Sequence, residues 1–462
     1  MKVLLVNPPI REWAKPNCFP EGLGILASCL KHAGHEVEAL DINAYRYSQE
    51  EVYEIIRKSD YDLVGMGGLI TVYGYMIWFA QICKELHPEK PVILGGNAVT
   101  PIPDLIFRNS DADIVCIGEG EETIVDVANV LERKESLRGI SGIWYRENDG
   151  TIVRNAFRGV ISDINTIPWP DRDIFPTHIY LNNAVGTINR RKWIDGEWGD
   201  PQEKEKSFIV RVSRGCPYRC TFCYHDFMSQ KFRVRSPEKI IEEIEHMMKK
   251  YNVTYFGLGD DLATANRKKF AEICYLRNKK KLDFKFGTSV RADLAREDFL
   301  KMLKDSGCDM ICMGIESASE KILKIMNKKV TLAQQRNAVK LIKKYFGGVQ
   351  ASFIVGYPGE TYETIQETID FCKEMEIEPE AIFYATPYPG TWLYEEALRR
   401  KLIKDEHKYL LSLKEQGERP AVNFTDWSDE KLISIKENMA RELNAWNKDF
   451  TVASRITQKK VK

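Results

Sequence analysis

The chain has 462 residues, 44% hydrophobic and 29% charged, with 67 basic and 67 acidic side chains and a formal net charge of zero. This is an ordinary globular composition, long enough for two or three domains. It carries no global field that would recruit nucleic acid, and no apolar run approaches the length of a membrane span.

Residues 1–135 read as alternating strands and helices. Lys2–Asn7 is a short apolar run that stops at a Pro-Pro turn, and residues 22–34 form an amphipathic helix closed by Gly34. Glu36–Asp41 alternates, whereas 62–67, 91–95 and 113–118 are buried-type strands that each run into glycine. Continuous apolar strands separated by helices predict a doubly wound α/β sheet, whose ligands bind beyond the carboxyl ends of the strands. Those ends carry Asn7-Pro8-Pro9, Gly67-Gly68-Leu69-Ile70-Thr71, Gly95-Gly96-Asn97-Ala98-Val99-Thr100 and Gly118-Glu119-Gly120-Glu121. Glycine there lets backbone approach a large ligand and present N–H donors, although any single pair is as well explained by a turn. A G-x-G-x-x-G dinucleotide fingerprint is missing. His32, His35 and His87 fall on or near helices and read as surface or packing residues.

Residues 136–206 read as a linker with some structure. Strand-like runs at 141–146 and 151–154 flank Glu147-Asn-Asp-Gly150, a hairpin signal. The prolines of Ile167-Pro-Trp-Pro-Asp-Arg-Asp173 forbid regular structure, and 190–192 and 195–206 read as exposed loop. From 207 to 400, strand-like runs at 208–212, 254–258, 284–288, 310–314, 349–355 and 381–385 alternate with helices, making six β/α repeats. Residues 401–462 read as helical and polar, with Trp427 and Trp446 as packing anchors. They form either a lid or substrate cap or plain helix packing, and the basic stretch 455–462 reads as a solvated end.

The most specific motif follows the first of the six strands. Cys216, Cys220 and Cys223 form a C-x3-C-x2-C triplet. With 11 Cys in 462 residues, roughly 0.006 such triplets are expected by chance. Three thiolates so spaced can hold three irons of a [4Fe–4S] cluster and leave the fourth iron open, as catalytic metal sites leave a position open. Zinc would want a fourth Cys or His, and His225 follows Cys223 too closely for easy tetrahedral closure. A disulfide framework fits poorly with an odd number of cysteines and with a Val3–Val6 run too short for a signal peptide, so a cytoplasmic location is expected.

The Gly-Cys-Pro, Arg-Cys and Phe-Cys-Tyr surroundings of the triplet resemble the radical S-adenosylmethionine (radical SAM) superfamily. The Asn-Pro-Pro start, the Gly-Gly-x-x-x-Thr turn and the Gly-Glu-Gly-Glu stretch are similar to the cobalamin-binding domain found ahead of many radical SAM cores. The resemblance implies a Rossmann-like cobalamin domain, a linker, a partial (β/α)6 barrel with the cysteine loop at its C-terminal face, and a helical C-terminal region. It implies that SAM chelates the open iron, with Phe222 near its adenine. Asp260 or Asp261 would stand in for the usual Gly-Gly-Glu at its amino group, Asp261 being equally able to cap the next helix. Ser289 and Arg291 would reach the ribose and carboxylate, the arginine through its bidentate fork. Glu316 would accept from ribose hydroxyls, with exposed capping as its alternative. Tyr357, Tyr384 and Tyr388 would face the substrate or pack the core, and Cys274, Cys308, Cys312 and Cys372 are expected as buried thiols.

For cobalamin the resemblance implies Asn7, Pro8, Gly68, Leu69, Thr71, Gly95, Gly96, Asn97, Thr100, Gly118, Glu119 and Gly120. One departure stands out: the place of the cobalt-ligating D-x-H-x-x-G is Asp41-Ile42-Asn43-Ala44-Tyr45, which has no histidine. The lower face of the cobalt is then expected without His, abutted by side chains around 69–73. The implied activity is reductive cleavage of SAM to a 5′-deoxyadenosyl radical, hydrogen abstraction from an unactivated carbon, and methyl transfer from methylcobalamin. An external donor such as flavodoxin or ferredoxin would supply the electron, and the substrate is a small molecule, peptide or protein. Oxidative cyclisation, ring contraction or hydroxylation is the alternative outcome, and a non-catalytic cobalamin or redox sensor the alternative of another class.

Overall fold

The computed structural model describes residues 1–12, 15–183, 206–224, 231–413 and 419–445. They form two compact units: residues 1–183 with 405–413, and residues 206–224 with 231–404 and 419–445. His225, the stretches 190–192 and 195–205, Trp446 and the stretch 455–462 lie outside the described residues.

The first unit runs β1 (Lys2–Asn7), α1 (Glu21–His32), β2 (Glu36–Asp41), α2 (Ile42–Tyr45), α3 (Gln49–Lys58), β3 (Leu63–Gly67), a 3-10 turn (Ile70–Val72), α4 (Tyr73–Leu86), β4 (Val92–Gly95), α5 (Pro103–Asn109), β5 (Ile114–Cys116), α6 (Glu121–Glu132), β6 (Ile143–Arg146), β7 (Ile152–Arg154) and α7 (Thr177–Asn183). The sheet order is β2-β1-β3-β4-β5-β6-β7, with the first five strands parallel and the last two antiparallel. Val3, Leu5, Leu63, Val64, Val92 and Leu94 are buried because helices cover both faces. The hairpin expected in the linker forms, and it closes this sheet as its antiparallel edge. The order reverses between β1 and β3, so Asn7-Pro8 and Gly67-Gly68 flank the switch point where such sheets open a crevice.

The second unit runs β8 (Lys206–Val210), β9 (Ser213–Arg214), β10 (Arg233–Val234), α8 (Pro237–Tyr251), β11 (Val253–Leu258), α9 (Arg267–Lys279), β12 (Lys285–Ser289), α10 (Glu297–Asp305), β13 (Cys308–Glu316), α11 (Glu320–Ile325), α12 (Leu332–Phe346), β14 (Gln350–Val355), α13 (Tyr362–Glu374), β15 (Ala381–Tyr384) and α14 (Trp392–Arg399). Six strands pair in the order β8-β11-β12-β13-β14-β15, all parallel, and β9 pairs with β10 as a separate ribbon. This is the six-repeat half-barrel expected from the alternation of strands and helices. α15 (Glu406–Ser412) folds with the first unit, whereas α16 (Asp429–Glu442) lies on the second, where Leu432 abuts Gly356. Trp427 packs against Tyr362, ring centroids 4.9 Å apart.

Candidate functional site

The cysteine loop leaves β8 two residues earlier than its apolar run suggests, because the next backbone amides turn to a carboxylate. Asp260, just after β11, accepts from the N–H groups of Val212, Ser213 and Leu262, and Asp261 accepts from that of Gly215 at 3.1 Å. Burial raises the Asp260 carboxyl to about 6, against the hydrogen bonds from Ser213. The aspartate pair therefore shapes the approach to Cys216. Asp260, expected at the SAM amino group, has both oxygens committed to backbone.

Further along the loop, Thr221 is held on four sides. Its N–H reaches the Met326 carbonyl (2.9 Å) and its carbonyl accepts from Leu393 N–H (3.1 Å). Its hydroxyl donates to the Ile325 carbonyl (2.9 Å) and meets the Tyr357 hydroxyl (2.7 Å). Asn327 donates to the Arg219 carbonyl at 2.6 Å. Tyr357 is fully buried, so of its two expected roles it takes packing, with its ring edge-on to Phe222.

Arg291, expected at the SAM carboxylate, is 8% exposed and clasps the cysteine loop. Its guanidinium lies 3.5 Å from the ring centre of Tyr218, whose hydroxyl donates to Asp293 (2.9 Å). It donates to Asp293 (3.0 Å) and to the Lys328 carbonyl (2.6 Å), and its Nη1 is 3.9 Å from Cys220 Sγ. Sequence reasoning missed Tyr218, although an aromatic two residues after the first cysteine was visible.

The three thiols converge. Burial, and then the negative charge of Cys220, pushes Cys223 up to about 12. Burial likewise raises Cys216, with Cys220 and Asp261 contributing. Thiols that repel one another as anions beside a guanidinium fit a cationic iron–sulfur cluster, which draws thiolate character from its ligands. No disulfide joins any of the 11 cysteines. Among the described residues no group of three His, Cys, Asp or Glu side chains closes on a single ion; a cluster gives each thiolate its own iron and so spans a wider set.

Glu316 ends β13 in left-handed backbone, φ 65°. A Cβ at Gly314 would collide with its Oε1, so the glycine makes room for a carboxylate folded back over the strand. There Glu316 forms a buried ion pair with Lys328 (2.8 Å), whose ammonium also stands 5.8 Å from the Phe222 ring centre. Exposed capping is thereby corrected to a buried, paired acid. Phe222 and Glu316 share the wall of a cavity of about 250 Å³ with Ser352, Phe383, Thr386 and Tyr388. Tyr384 lines it too, with the Lys436 ammonium of α16 4.3 Å from its ring centre. Ser289 ends β12, and its carbonyl accepts from Thr264. Cys274, Cys308 and Cys372 are buried as expected; Cys312 is only half-buried, its thiol 3.4 Å from Gln350.

In the first unit the strand ends divide into two groups. Leu69 is 53% exposed, Gly96 and Asn97 are exposed, and Gly68, Thr71, Gly95 and Gly120 are partly so, whereas Pro8 is buried. These exposed groups lie at the carboxyl ends of the strands, where sheets of this kind bind a ligand. The backbones around it are layered tightly. Ala98 N–H donates to the Gly68 carbonyl, a Cβ on Gly68 would meet Val72 at 2.6 Å, and one on Gly95 would meet Cys116 at 3.3 Å. Asn7, Thr100 and Glu119 instead spend their side chains internally. Asn7 donates to Asp41 and Tyr180, Thr100 accepts from Gly118 N–H, and Glu119 accepts from Ile161 N–H. Asp41 is buried with its carboxyl raised by that burial, and Tyr180 donates to it from α7. Asn43, where D-x-H-x-x-G would place histidine, is 1% exposed, and its amide oxygen accepts from Ile10 N–H. Glycine-rich strand ends at the switch point beside an exposed Leu69 fit a corrin, and the buried Asn43 presents no histidine to its metal.

Residues 210–372 match the Radical SAM superfamily, and residues 10–128 match the B12 binding domain. An uncharacterised methyltransferase of Pyrococcus horikoshii is 32% identical over 409 residues, covering 87% of this chain and 84% of that protein. The chain belongs to the cobalamin-dependent radical SAM enzymes. The anaerobic magnesium-protoporphyrin IX monomethyl ester cyclase of Rubrivivax gelatinosus is 27% identical, covering 88% of this chain and 72% of that one. The fold is that of the radical SAM methyltransferase TsrM from Kitasatospora setae, solved with cobalamin and a [4Fe–4S] cluster (TM-score 0.68, 18% identity, 86% of this chain and 75% of that one). As a cobalamin-dependent radical SAM enzyme of the methyltransferase and cyclase branch, the chain uses a [4Fe–4S] cluster, SAM and cobalamin. No helix among the described residues is long and apolar enough to cross a membrane.

Proposed function

We propose that this enzyme is a methyltransferase acting on an unactivated carbon of a small-molecule, peptide or protein substrate. When bound, the cluster and SAM supply a hydrogen-abstracting 5′-deoxyadenosyl radical, and cobalamin supplies the methyl group. The observation that carries the reading is the convergence of Cys216, Cys220 and Cys223 beside Arg291, at the strand ends that also open the Phe222–Glu316 cavity. In this reading the three cysteines ligate iron, and Arg291, Asp260 and Asp261 hold their loop in shape. Phe222, Glu316 and Ser289 meet SAM from the strand ends, and Glu316 has its charge already balanced by Lys328. Gly68, Leu69, Thr71, Gly95, Gly96, Asn97 and Gly120 line the cobalamin crevice, while Asn7, Pro8, Thr100, Gly118 and Glu119 support it from behind. Residues 1–135 are the cobalamin domain and 207–400 the SAM domain, and the electron arrives from a flavodoxin- or ferredoxin-type donor in the cytoplasm.

The similarity to the magnesium-protoporphyrin cyclases favours a second reading, oxidative ring closure on the same two cofactors. Product mass separates them. Anaerobic incubation of the reconstituted enzyme with SAM, methylcobalamin and cell extracts, followed by mass spectrometry, should give 5′-deoxyadenosine and a product heavier by one methylene. A product lighter by hydrogen would support the cyclase, and absence of SAM cleavage would support a sensor. Replacing Cys216, Cys220 and Cys223 together by Ala should abolish both products.

A further inference from the structure

The segment that follows the half-barrel folds onto the first unit. α15 lies against the 3-10 turn and the first residues of α4. Tyr73, which opens α4, is wholly buried, and its hydroxyl is 2.9 Å from His407 Nδ1. Their rings meet edge-on at 5.7 Å. Leu411 sits only 3.1 Å from where a Cβ on Gly74 would stand, so the glycine lets the helix approach. Tyr409, Leu410 and Leu413 are buried at the same contact.

Tyr73 directly follows the turn that displays Leu69. Val72 N–H donates to the Leu69 carbonyl, and Val72 fills the space over Gly68 that a Cβ would need. Gly68 in turn accepts from Ala98 N–H. A displacement of Tyr73 therefore passes through the buried Val72 to the turn bearing Gly68, Leu69 and Thr71.

We infer that His407 is a positioning residue for cobalamin: by anchoring Tyr73 it sets the turn on which the corrin rests, so that docking of 405–413 and cobalamin binding favour each other. The inference rests on the reading of this crevice as the cobalamin site. Coupling of this kind is reciprocal, so cobalamin must tighten the segment as much as the segment tightens cobalamin.

The test uses the full chain, purified anaerobically without cobalamin, and hydroxocobalamin as the probe. Absorbance titration of His407→Ala and Tyr73→Phe should show affinity about five- to thirtyfold weaker than wild type, the loss of one buried hydrogen bond. The double variant should lose no more than Tyr73→Phe alone, because that change already removes the bond to His407 along with the hydroxyl's contact to Asn109. His407→Asn, which puts an amide near the place of Nδ1, should restore most of the affinity. Iron content should stay the same throughout. Hydrogen exchange on wild type should show the amides of 409–413 becoming protected when hydroxocobalamin is added. Unchanged affinity in both single variants, additive losses, failure of Asn to rescue, or unchanged protection of 409–413 would each overturn the inference while leaving the crevice assignment standing. Wild type that takes up no cobalamin would overturn that assignment and the inference with it.

Discussion

Lys328 Nζ stands 2.8 Å from Glu316 Oε1, with the two side chains only 8% and 11% exposed. A buried pair of this kind contributes little net stability, but losing one partner leaves an uncompensated charge. Lys328→Met should therefore cost about 3–5 kcal/mol and weaken SAM binding by freeing the carboxylate to move. The double variant Glu316→Gln, Lys328→Met should recover most of the stability without recovering SAM affinity. Thermal unfolding and SAM titration on the same preparations check this; simple additivity of the two stability losses would contradict it.

Arg291 divides its donors between Asp293, the Lys328 carbonyl and the Cys220 sulfur while lying on Tyr218. Its removal should affect the cluster before it affects SAM. Arg291→Ala is expected to lower iron per chain after reconstitution. Arg291→Lys should do so as well, because an ammonium cannot reproduce the flat three-way arrangement. Full iron content with only SAM affinity reduced would return Arg291 to the carboxylate role expected from the resemblance.

Glu360 is 7% exposed and accepts, among the described residues, from the Gly356 and Tyr357 N–H groups, and burial raises its carboxyl from 4.5 to about 7. Below pH 4.5 folded and unfolded states both keep the proton. Between about 4.5 and 7 the unfolded chain releases it first, so the stability of the native state falls as pH rises. Above 7 the deficit is constant, on the order of 3 kcal/mol. Glu360→Gln should remove this dependence. Its unfolding midpoint should gain on wild type between pH 5 and 7.5, and a gap that does not change with pH would refute the assignment.

Gly96 has φ 81°, and a Cβ there would lie 3.2 Å from Gly68 N and 3.3 Å from its carbonyl oxygen. Gly96→Ala should press on the Leu69 turn and weaken cobalamin about tenfold, equivalent to 1.4 kcal/mol, with iron content unchanged. Electron paramagnetic resonance of bound Co(II) should show no nitrogen splitting, since Asn43 is buried at the position where a histidine ligand would stand. Unchanged cobalamin affinity in the variant, or clear splitting in wild type, would contradict the crevice geometry.

The cysteine spacing, the order of apolar strands and the glycines at strand ends are local signals, and they were sufficient for the two folds and the three cofactors. Strand periodicity follows from whether one or both faces are buried, and a cluster motif must lie within one loop, so both survive in a linear reading. Which partner a polar side chain chooses is decided by residues far away in the chain. Asp260 meets the backbone of Val212 and Ser213, 48 and 47 positions distant. Arg291 meets Cys220, 71 positions away, and Asn7 meets Tyr180, 173 away. His407 reaches Tyr73 across 334 positions, which no motif encodes. A buried donor or acceptor must be satisfied by whatever the packed fold brings beside it, so the sequence by itself determined the chemistry available at the strand ends. Only the tertiary structure decided which of those groups remain for ligands and which hold the loops in place.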